Sequence, residues 1–408
     1  MLSVTEATQR LLAKLPVCGV EVLALQDIFG RVLAEDVFAE AASPRFDNSS
    51  MDGFAVKAAD TRTSTEGKPI VLEVVGDIPA GTTSDTVLKA GQAMRIMTGA
   101  PLPAGADAIV PIEDTDAQAA VAGIALPAKV QVKRAMRLGE FIRPAGEDFK
   151  AGDLLVKSGT RIRAQEAALI GMQGKTELNV FRKPRVAILS SGDELLAPGE
   201  PWQPGKIRES NSFSLAALVK SCGAEPTLLG IAHDTLEDIV AHLDKGVEAS
   251  ADLVLSSAGV SVGAFDYLRE AVTRNGELDF WKVNMRPGKP FTFGNYRGVP
   301  YVGLPGNTVS SFVGFEVFLR PALNQMAGVK DFSRLKINAQ LKENASSDGR
   351  ESFLRVFLDT AAELASVHLT GHQGSGNLYS LVLANALMHV PAGVTNLSVG
   401  SQVEVWPL

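Results

Sequence analysis

The sequence predicts a multidomain protein of the α/β plus β class, built around a central α/β domain with a mostly parallel sheet. Within residues 185–325, the apolar segments VAILSS, TLLGIA, DLVLSS and YVGLP alternate with helix-like stretches. Alternation of this kind is typical of a parallel sheet with helices on its faces. From about Lys68 to Arg163, and again after Gly328, short alternating segments are broken by glycine-rich turns. That pattern predicts two β-rich modules, the second a small C-terminal β-barrel.

The N-terminal segment MLSVTEATQRLLAKL predicts an amphipathic helix, with its apolar face at Ala7, Leu11, Leu12 and Leu15. It lacks the basic start and apolar run of a secretory signal. Residues around 160–178 lie on the far side of the first β-rich module, and we expect these two flanking segments to pack together. The predicted domains are a helical linker domain, an inserted β-rich domain, an α/β domain and a barrel, at 1–44 with 152–180, 45–151, 181–329 and 330–408.

Composition excludes several classes of function. The net charge of −7 is spread over all 408 residues, which argues against a basic face for nucleic acid. Only Cys18 and Cys222 occur, far apart, so we expect neither a disulfide framework nor a thiolate metal site, and a reducing compartment fits best. No apolar run approaches the length that spans a membrane. We therefore expect a cytoplasmic protein that binds neither nucleic acid nor membrane.

Acidic residues follow the predicted parallel strands. In such sheets, ligands bind beyond the carboxyl ends of the strands. Here those ends lead into SSGDEL, AHDT, SSAGVSVGAFD and LPGNTVSS, which places Asp193, Glu194, Asp234 and Asp266 along one edge. Neighbouring carboxylates repel one another unless a cation or basic groups offset them. A Mg²⁺ ion held by carboxylates, water and a substrate phosphate would do so.

Two further segments at this edge suit an anion. The glycines of GVSVG, Gly259 and Gly263, permit close backbone approach, and the helix near Asp266 would offer free N–H groups. The same pattern also suits an ordinary strand-to-helix turn. The segment WKVNMRPGKPFTFG brings together three cations, which form either a phosphate and oxyanion clamp or a solvated loop that pairs with the acids; they are Lys282, Arg286 and Lys289.

Two polar segments leave their roles open. In LPGNTVSSF, Gly306 and Asn307 precede a helix, where Asn and Ser are most often caps. In PRFDNSSMDGFAV, Asp47 and Asp52 either close Asx-turns or reach into a site on another domain or subunit. The histidines show no metal-ligand spacing.

A series of motifs spans the chain in this order: FDNSSMDGFAV, GDIPAG, IMTGAPLPAGADAIVPIED, GEDFKAGD, SSGDEL, SSAGVSVGAFDY, RPGKPFTFG, GLPGN and GHQGSGNLYSL. In them the sequence resembles the molybdopterin molybdenumtransferases of the bacterial MoeA type, and is also similar to the E domain of gephyrin. The resemblance implies an enzyme that inserts molybdenum from molybdate into adenylylated molybdopterin, releases AMP and yields molybdenum cofactor with the help of Mg²⁺. It also implies that the α/β domain is a molybdopterin-binding domain similar to MogA.

The resemblance assigns roles by matching motif. It places the functional acids at Asp52, Asp148, Glu194, Asp234 and Asp266, and the basic catalytic residues at Lys282 and Arg286. It implicates Thr98, Pro305 and Ser375 as further substrate-binding positions. On this basis Glu194, Asp234 and Asp266 are expected to hold Mg²⁺, and Thr98 and Arg286 to favour molybdate. The phosphate portion is expected on the GVSVG amides, at Gly259, Ser261 and Gly263, together with Lys282 and Lys289. The LPGN loop is expected to add Gly306 and Asn307 as binding residues.

The resemblance further implies an elongated homodimer of four-domain subunits, in which the partner's β-rich module closes the active-site cleft. Transient contact with the molybdopterin adenylyltransferase and with molybdoenzyme maturation proteins is expected. The chain departs from the family pattern at Ala258, Phe265, Arg286 and Thr308.

Two rival functions remain open from the sequence: adenylylation of molybdopterin, and a non-catalytic scaffold or cofactor-binding role. A scaffold would not need several repelling acids on one edge.

Overall fold

The structure is a computed structural model that describes residues 1–117, 125–258 and 262–408, without the side chains of residues 258 and 262–266. It divides into two compact units. The first unit comprises Met1–Glu35, Lys157–Gly171 and Lys175–Leu408. The second unit comprises Asp36–Val156 and Met172–Gly174. The division into four domains stays a prediction.

A six-stranded sheet forms the centre of the first unit. Its strands lie in the order Glu225–Ala232, Arg185–Ser191, Leu253–Ala258, Val299–Leu304, Pro290–Tyr296 and Gly276–Lys282. The first four are mutually parallel and the last two are antiparallel to their neighbours, so the prediction of a mostly parallel sheet is confirmed. The helices of this region are Asn211–Ser221, Leu236–Glu248, Val262–Asn275 and Thr308–Gly314, the last continuing through a π-helical turn, Phe315–Leu319, into Arg320–Met326.

Both faces of the sheet are buried along its inner strands, which explains their continuous apolar sequence. Along Arg185–Ser191 the side chains alternate between two cores. Val186 and Ile188 pack into the core that contains Phe318, whereas Ala187 and Leu189 pack into the core that contains Leu243. Burying one such Leu side chain stabilises the fold by about 2 kcal/mol.

Segments from either side of the inserted module meet in the first unit. The helix Val4–Lys14 begins with a capping box between Ser3 and Glu6 and buries Ala7 and Leu11 in the central core. A three-stranded sheet then joins Glu177–Phe181 to two strands from near the N-terminus, Val20–Ala24 and Val32–Leu33. The helix of the second flanking segment is Ala164–Met172.

The C-terminal region forms a closed barrel, as predicted. Its five strands lie in the order Glu351–Asp359, Ser366–Leu369, Ile337–Leu341, Gln402–Pro407 and Ala386–Val390, and the last pairs back onto the first. The short strand Met285–Arg286, which precedes the last strands of the central sheet, pairs in parallel with the start of Glu351–Asp359. A short helix, Tyr379–Val382, and a paired ribbon, Ala345–Ser346 with Asn396–Leu397, complete this region.

The second unit is β-rich. Its five-stranded sheet has the order Ala108–Pro111, Gly53–Val56, Gln92–Ile96, Ile70–Ile78 and Lys129–Val132. Gly53 lies where a Cβ atom would be 2.0 Å from the Val110 carbonyl oxygen, so only glycine permits this strand pairing. Smaller elements are Ala58–Thr61, Val37–Phe38 with Leu154–Val156, and Asn48–Ser49 with Ile142–Arg143. In the described parts of both units, no helix is long and apolar enough to cross a membrane.

Candidate active site

The turn SSGDEL follows the strand Arg185–Ser191 and depends on Gly192. This residue has φ of 149°, and a Cβ atom there would lie 2.7 Å from Oε2 of Glu194. Because glycine alone avoids both penalties, the chain can turn sharply and fold the Glu194 carboxylate back beside the strand end.

Asp193 and Asp234 meet at the same edge. The backbone N–H of Asp234 donates to Asp193 Oδ1 at 3.3 Å, and His233 Nδ1 lies 3.0 Å from that oxygen. Oδ1 of Asp234 is buried without a hydrogen-bond partner. Burial raises the pKa of Asp234, and the charges of Asp193 and Glu194 raise it further. The predicted gathering of acids is therefore present for these residues.

The predicted metal set is only partly visible. Among the residues whose side chains are described, no group of three His, Cys, Asp or Glu residues could hold a metal ion. Gly259 and Ser261 lie outside the described residues, and the described helix Val262–Asn275 includes Gly263 and Asp266 without their side chains. The buried, unpartnered oxygen of Asp234 fits a cation ligand, because an uncompensated buried carboxylate oxygen is costly.

A cavity of about 40 Å³ opens beside Glu194, large enough for a few water-sized groups. Asn211 lines this cavity, and its Nδ2 donates hydrogen bonds to Ser257 Oγ at 2.6 Å and to the Gly306 carbonyl at 2.7 Å. Oδ1 of Asn211 is buried without a partner. The lining residues are Ser190, Glu194, Leu195, Ile207, Arg208, Glu209, Ser210, Asn211, Ser257, Gly306 and Thr308.

Sequence reasoning missed Glu209 and Asn211. Glu209 is buried and accepts hydrogen bonds from Ser190 Oγ at 2.9 Å and from the backbone and hydroxyl of Ser212 at 2.8 and 2.6 Å. The available signal was the polar run RESN immediately before a predicted helix.

The LPGN loop borders the same cavity. The carbonyl of Pro305 accepts a short hydrogen bond from Ser311 Oγ. Asn307 occupies the cap position of the helix Thr308–Gly314, yet its side chain makes no capping hydrogen bond. A capping role for Asn307 is therefore wrong.

The cationic segment is mostly strand, not the loop that its sequence suggested. Nζ of Lys282 lies 3.4 Å from the ring centroid of Trp281. Arg286 lies on the short strand that pairs with the barrel, and Lys289 is exposed just before Pro290–Tyr296. Pairing of these cations with the acidic edge is not seen among the described ion pairs.

The barrel contributes two arginines that sequence reasoning missed. Arg350 Nη1 donates to the Met285 carbonyl at 3.0 Å, next to Arg286. Arg355 is fully buried, and burial followed by the charge of Arg286 lowers its pKa to about 10. Its guanidinium donates to three carbonyls of the loop before Ser375, those of His372, Gln373 and Gly374. The half-buried Ser375 therefore directly follows a loop segment that Arg355 holds.

The predicted residues of the second unit lie in separate hydrogen-bond networks. Asp52 Oδ1 accepts from both the backbone N–H and the hydroxyl of Thr98, each at 2.7 Å. Asp148 is held by Arg143 Nη2, at 3.0 and 3.1 Å from its two oxygens, and by Ser43 Oγ at 3.1 Å.

Three family models match the chain. Residues 2–174 match the MoeA N-terminal region (domain I and II), residues 187–325 match a probable molybdopterin binding domain, and residues 338–408 match the MoeA C-terminal region (domain IV).

Curated relatives match over the full length. The molybdopterin molybdenumtransferase 2 of Mycobacterium tuberculosis is 39% identical and covers 100% of both chains. The molybdopterin molybdenumtransferase of a Nostoc species is 38% identical over 95% of this chain and 88% of its own. Among solved structures, the molybdopterin biosynthesis moeA protein of Pyrococcus horikoshii OT3 is 30% identical, with a TM-score of 0.85 and complete coverage of both chains.

Proposed function

This chain belongs to the MoeA family of molybdopterin molybdenumtransferases, and from that premise we propose how its residues carry out the reaction. It is an enzyme of molybdenum cofactor biosynthesis that acts on molybdopterin, and the full-length relatives support neither an adenylyltransferase nor a scaffold. The proposal is that it transfers molybdenum from molybdate to adenylylated molybdopterin and releases AMP. The observation that carries it is the acidic edge, where Asp234 keeps a buried oxygen without a partner beside Asp193 and Glu194.

We propose that Mg²⁺ assists at this edge. Glu194 and Asp234 would hold it, together with Asp266, which lies on the helix Val262–Asn275; that helix begins four residues earlier than the sequence suggested. When bound, Mg²⁺ supplies positive charge against the phosphoanhydride of the substrate. The carboxylates would orient the ion. Without Mg²⁺ they would repel the substrate phosphate, because both groups are negatively charged.

We assign the phosphate portion of the substrate to the glycine-rich segment, two lysines and the LPGN loop. The GVSVG segment, with Gly259, Ser261 and Gly263, would offer backbone N–H groups. Lys282 and Lys289 would add positive charge, and the loop Pro305–Asn307 would border the same cleft, since Gly306 lines the cavity beside Glu194.

We assign the substrate molybdate to the arginines. Arg286 stands beside Arg350, which contacts the Met285 carbonyl and pairs with Asp348. The guanidinium of Arg286 would bind the oxyanion through paired N–H donors. Ser375 lies on a loop that Arg355 fixes in place. These groups would hold the oxyanion by charge and geometry, so catalysis rests chiefly on placement of charge.

Asp52, Thr98 and Asp148 are proposed to complete the active site of a partner subunit in a homodimer. The family resemblance supports this arrangement, as it supports a cytoplasmic location and transient contact with the adenylyltransferase and maturation proteins.

The test is to incubate the full chain with adenylylated molybdopterin, molybdate and Mg²⁺. Released AMP is quantified, and the product is added to an apo-molybdoenzyme to measure reconstituted activity. The proposal expects AMP release and reconstitution that both depend on molybdate. Consumption of ATP with metal-free molybdopterin, without molybdate-dependent AMP release, would instead identify an adenylyltransferase.

A further inference from the structure

Trp281 is contacted by two cations from different elements. Nζ of Lys282 lies 3.4 Å from its ring centroid, and Cζ of Arg269 lies 5.3 Å from the same point. Both distances fall within the range of cation–π attraction, in which the negative face of the ring stabilises a positive charge. The ring remains 39% exposed, so this group of side chains faces solvent.

The topology puts these side chains at the ligand-binding edge of the sheet. The strand Gly276–Lys282 and the strand Val299–Leu304 are both antiparallel to Pro290–Tyr296, so they run in the same direction. Trp281 and Lys282 therefore lie at the carboxyl end of the sheet, where ligands bind. Arg269 lies on the helix Val262–Asn275, and helix side chains lean toward the helix N-terminus, which is at that same edge.

Neither cation has a carboxylate partner among the side chains that the structure describes. No such carboxylate lies within 4.0 Å of Arg269 or Lys282, whereas Arg274 on the same helix pairs with Glu270. Two like charges gathered on one ring repel each other. An anion bound between them would remove that repulsion and form charge-assisted hydrogen bonds.

We propose that Arg269 is a phosphate-binding residue that acts with Lys282, and that Trp281 is a positioning residue that holds the two cations together. This inference rests on the proposed function, since the phosphate is that of the adenylylated substrate. It adds a guanidinium from the helix that follows the GVSVG segment. Trp281 contributes through its ring face and touches no reacting atom.

The affinity of the full chain for AMP, measured by calorimetry, tests the inference directly. Arg269→Gln should weaken AMP binding about five- to tenfold, because it removes a charged donor from the phosphate. Trp281→Leu should weaken it about threefold, whereas Trp281→Phe, which keeps an aromatic face, should stay within about twofold of the wild type. Arg274→Gln is the matched control, because it removes an exposed arginine of the same helix that already has a carboxylate partner.

Kinetics separate positioning from a general structural effect. For each of Arg269→Gln and Trp281→Leu, KM for adenylylated molybdopterin should rise by about the factor by which AMP binding weakens. The value of kcat should stay within about twofold of the wild type, as expected for loss of uniform binding. Titration with molybdate distinguishes the two oxyanions, and both variants should bind molybdate as the wild type does.

Several results would overturn the inference: no AMP binding by the wild type, an Arg269→Gln affinity equal to that of Arg274→Gln, or a Trp281→Phe defect as large as that of Trp281→Leu. Weakened molybdate binding with unchanged AMP binding would also overturn it. If AMP binding follows the expected order but AMP is never released from the adenylylated substrate, the proposed function fails and the inference stands. If an Arg269→Gln variant turns over normally with unchanged KM, the inference about Arg269 fails and the proposed function stands.

Discussion

The backbone N–H of Asp234 donates to Oδ1 of Asp193 at 3.3 Å, which fixes two acids side by side at the carboxyl edge of the central sheet. The same arrangement leaves Oδ1 of Asp234 buried without a partner. A protein that only needed to be stable would not keep this carboxylate. We therefore interpret it as a place where stability is lost in favour of ligand binding.

Asp234→Asn should stabilise the unliganded protein at neutral pH. Burial and then the charges of Asp193 and Glu194 raise the pKa of Asp234, so the native state binds this proton more tightly than the unfolded state does. Stability from this group is therefore full at low pH and is lost as pH rises through the raised pKa. At pH 7 the variant should unfold about 1–3 °C higher, and its advantage should shrink toward pH 4. Thermal unfolding at several pH values checks this, and a lower Tm for the variant at pH 7 would contradict it.

Thr98 should be needed to orient Asp52. Both donors of Thr98 converge on one oxygen, each at 2.7 Å, and Thr98→Val removes the hydroxyl donor at nearly constant volume. A hydrogen bond to a charged group contributes about 1.5–3 kcal/mol, so kcat/KM for AMP release should fall about tenfold or more. Thr98→Ser keeps the hydroxyl and should remain within about threefold of the wild type. Equal activity of the valine and serine variants would exclude this role.

Arg350 should contribute to molybdate affinity. Its guanidinium contacts the Met285 carbonyl beside Arg286 and pairs with Asp348 through Nε and Nη2, and Arg350→Gln removes the positive charge of this pair. We expect KM for molybdate to rise about tenfold, the loss of roughly one charge-assisted contact, with KM for adenylylated molybdopterin within about twofold. Initial rates over a molybdate series measure the effect. A variant that loses affinity for both substrates equally would show that Arg350 supports the fold instead.

Arg355 should stabilise the barrel and the loop that carries Ser375. Its buried guanidinium donates to Ser380 Oγ at 2.9 Å and to three loop carbonyls. Arg355→Met removes these hydrogen bonds and leaves the buried hydroxyl of Ser380 without this donor, which should lower the free energy of unfolding by about 3 kcal/mol. Urea unfolding monitored by tryptophan fluorescence measures it. Lys342→Met, a change at an exposed position of the barrel, is the control and should stay within about 0.5 kcal/mol.

The inner parallel strands of the central sheet were predictable because they are buried on both faces. Val186–Leu189 therefore read as an unbroken apolar run. The strand Gly276–Lys282 was not predicted, because it lies at the sheet edge and its charges at Glu277 and Asp279 interrupt the apolar pattern.

The candidate site was likewise predictable only in part. Glu194 and Asp234 were placed correctly at one edge, since the carboxyl ends of parallel strands must lie together. The neighbourhood of Arg286 with Arg350 and Arg355 was missed because it depends on the pairing of Met285–Arg286 with a distant barrel strand. Such tertiary pairing leaves no local pattern in the sequence.

The most direct measurement is Mg²⁺-dependent AMP release from adenylylated molybdopterin by wild type and Asp234→Asn in the presence of molybdate. The account predicts that wild-type release rises with Mg²⁺ and that the variant, although folded, releases AMP at least about 100-fold more slowly. A variant whose rate and Mg²⁺ dependence equal those of the wild type would contradict the assignment of the acidic edge as the catalytic site.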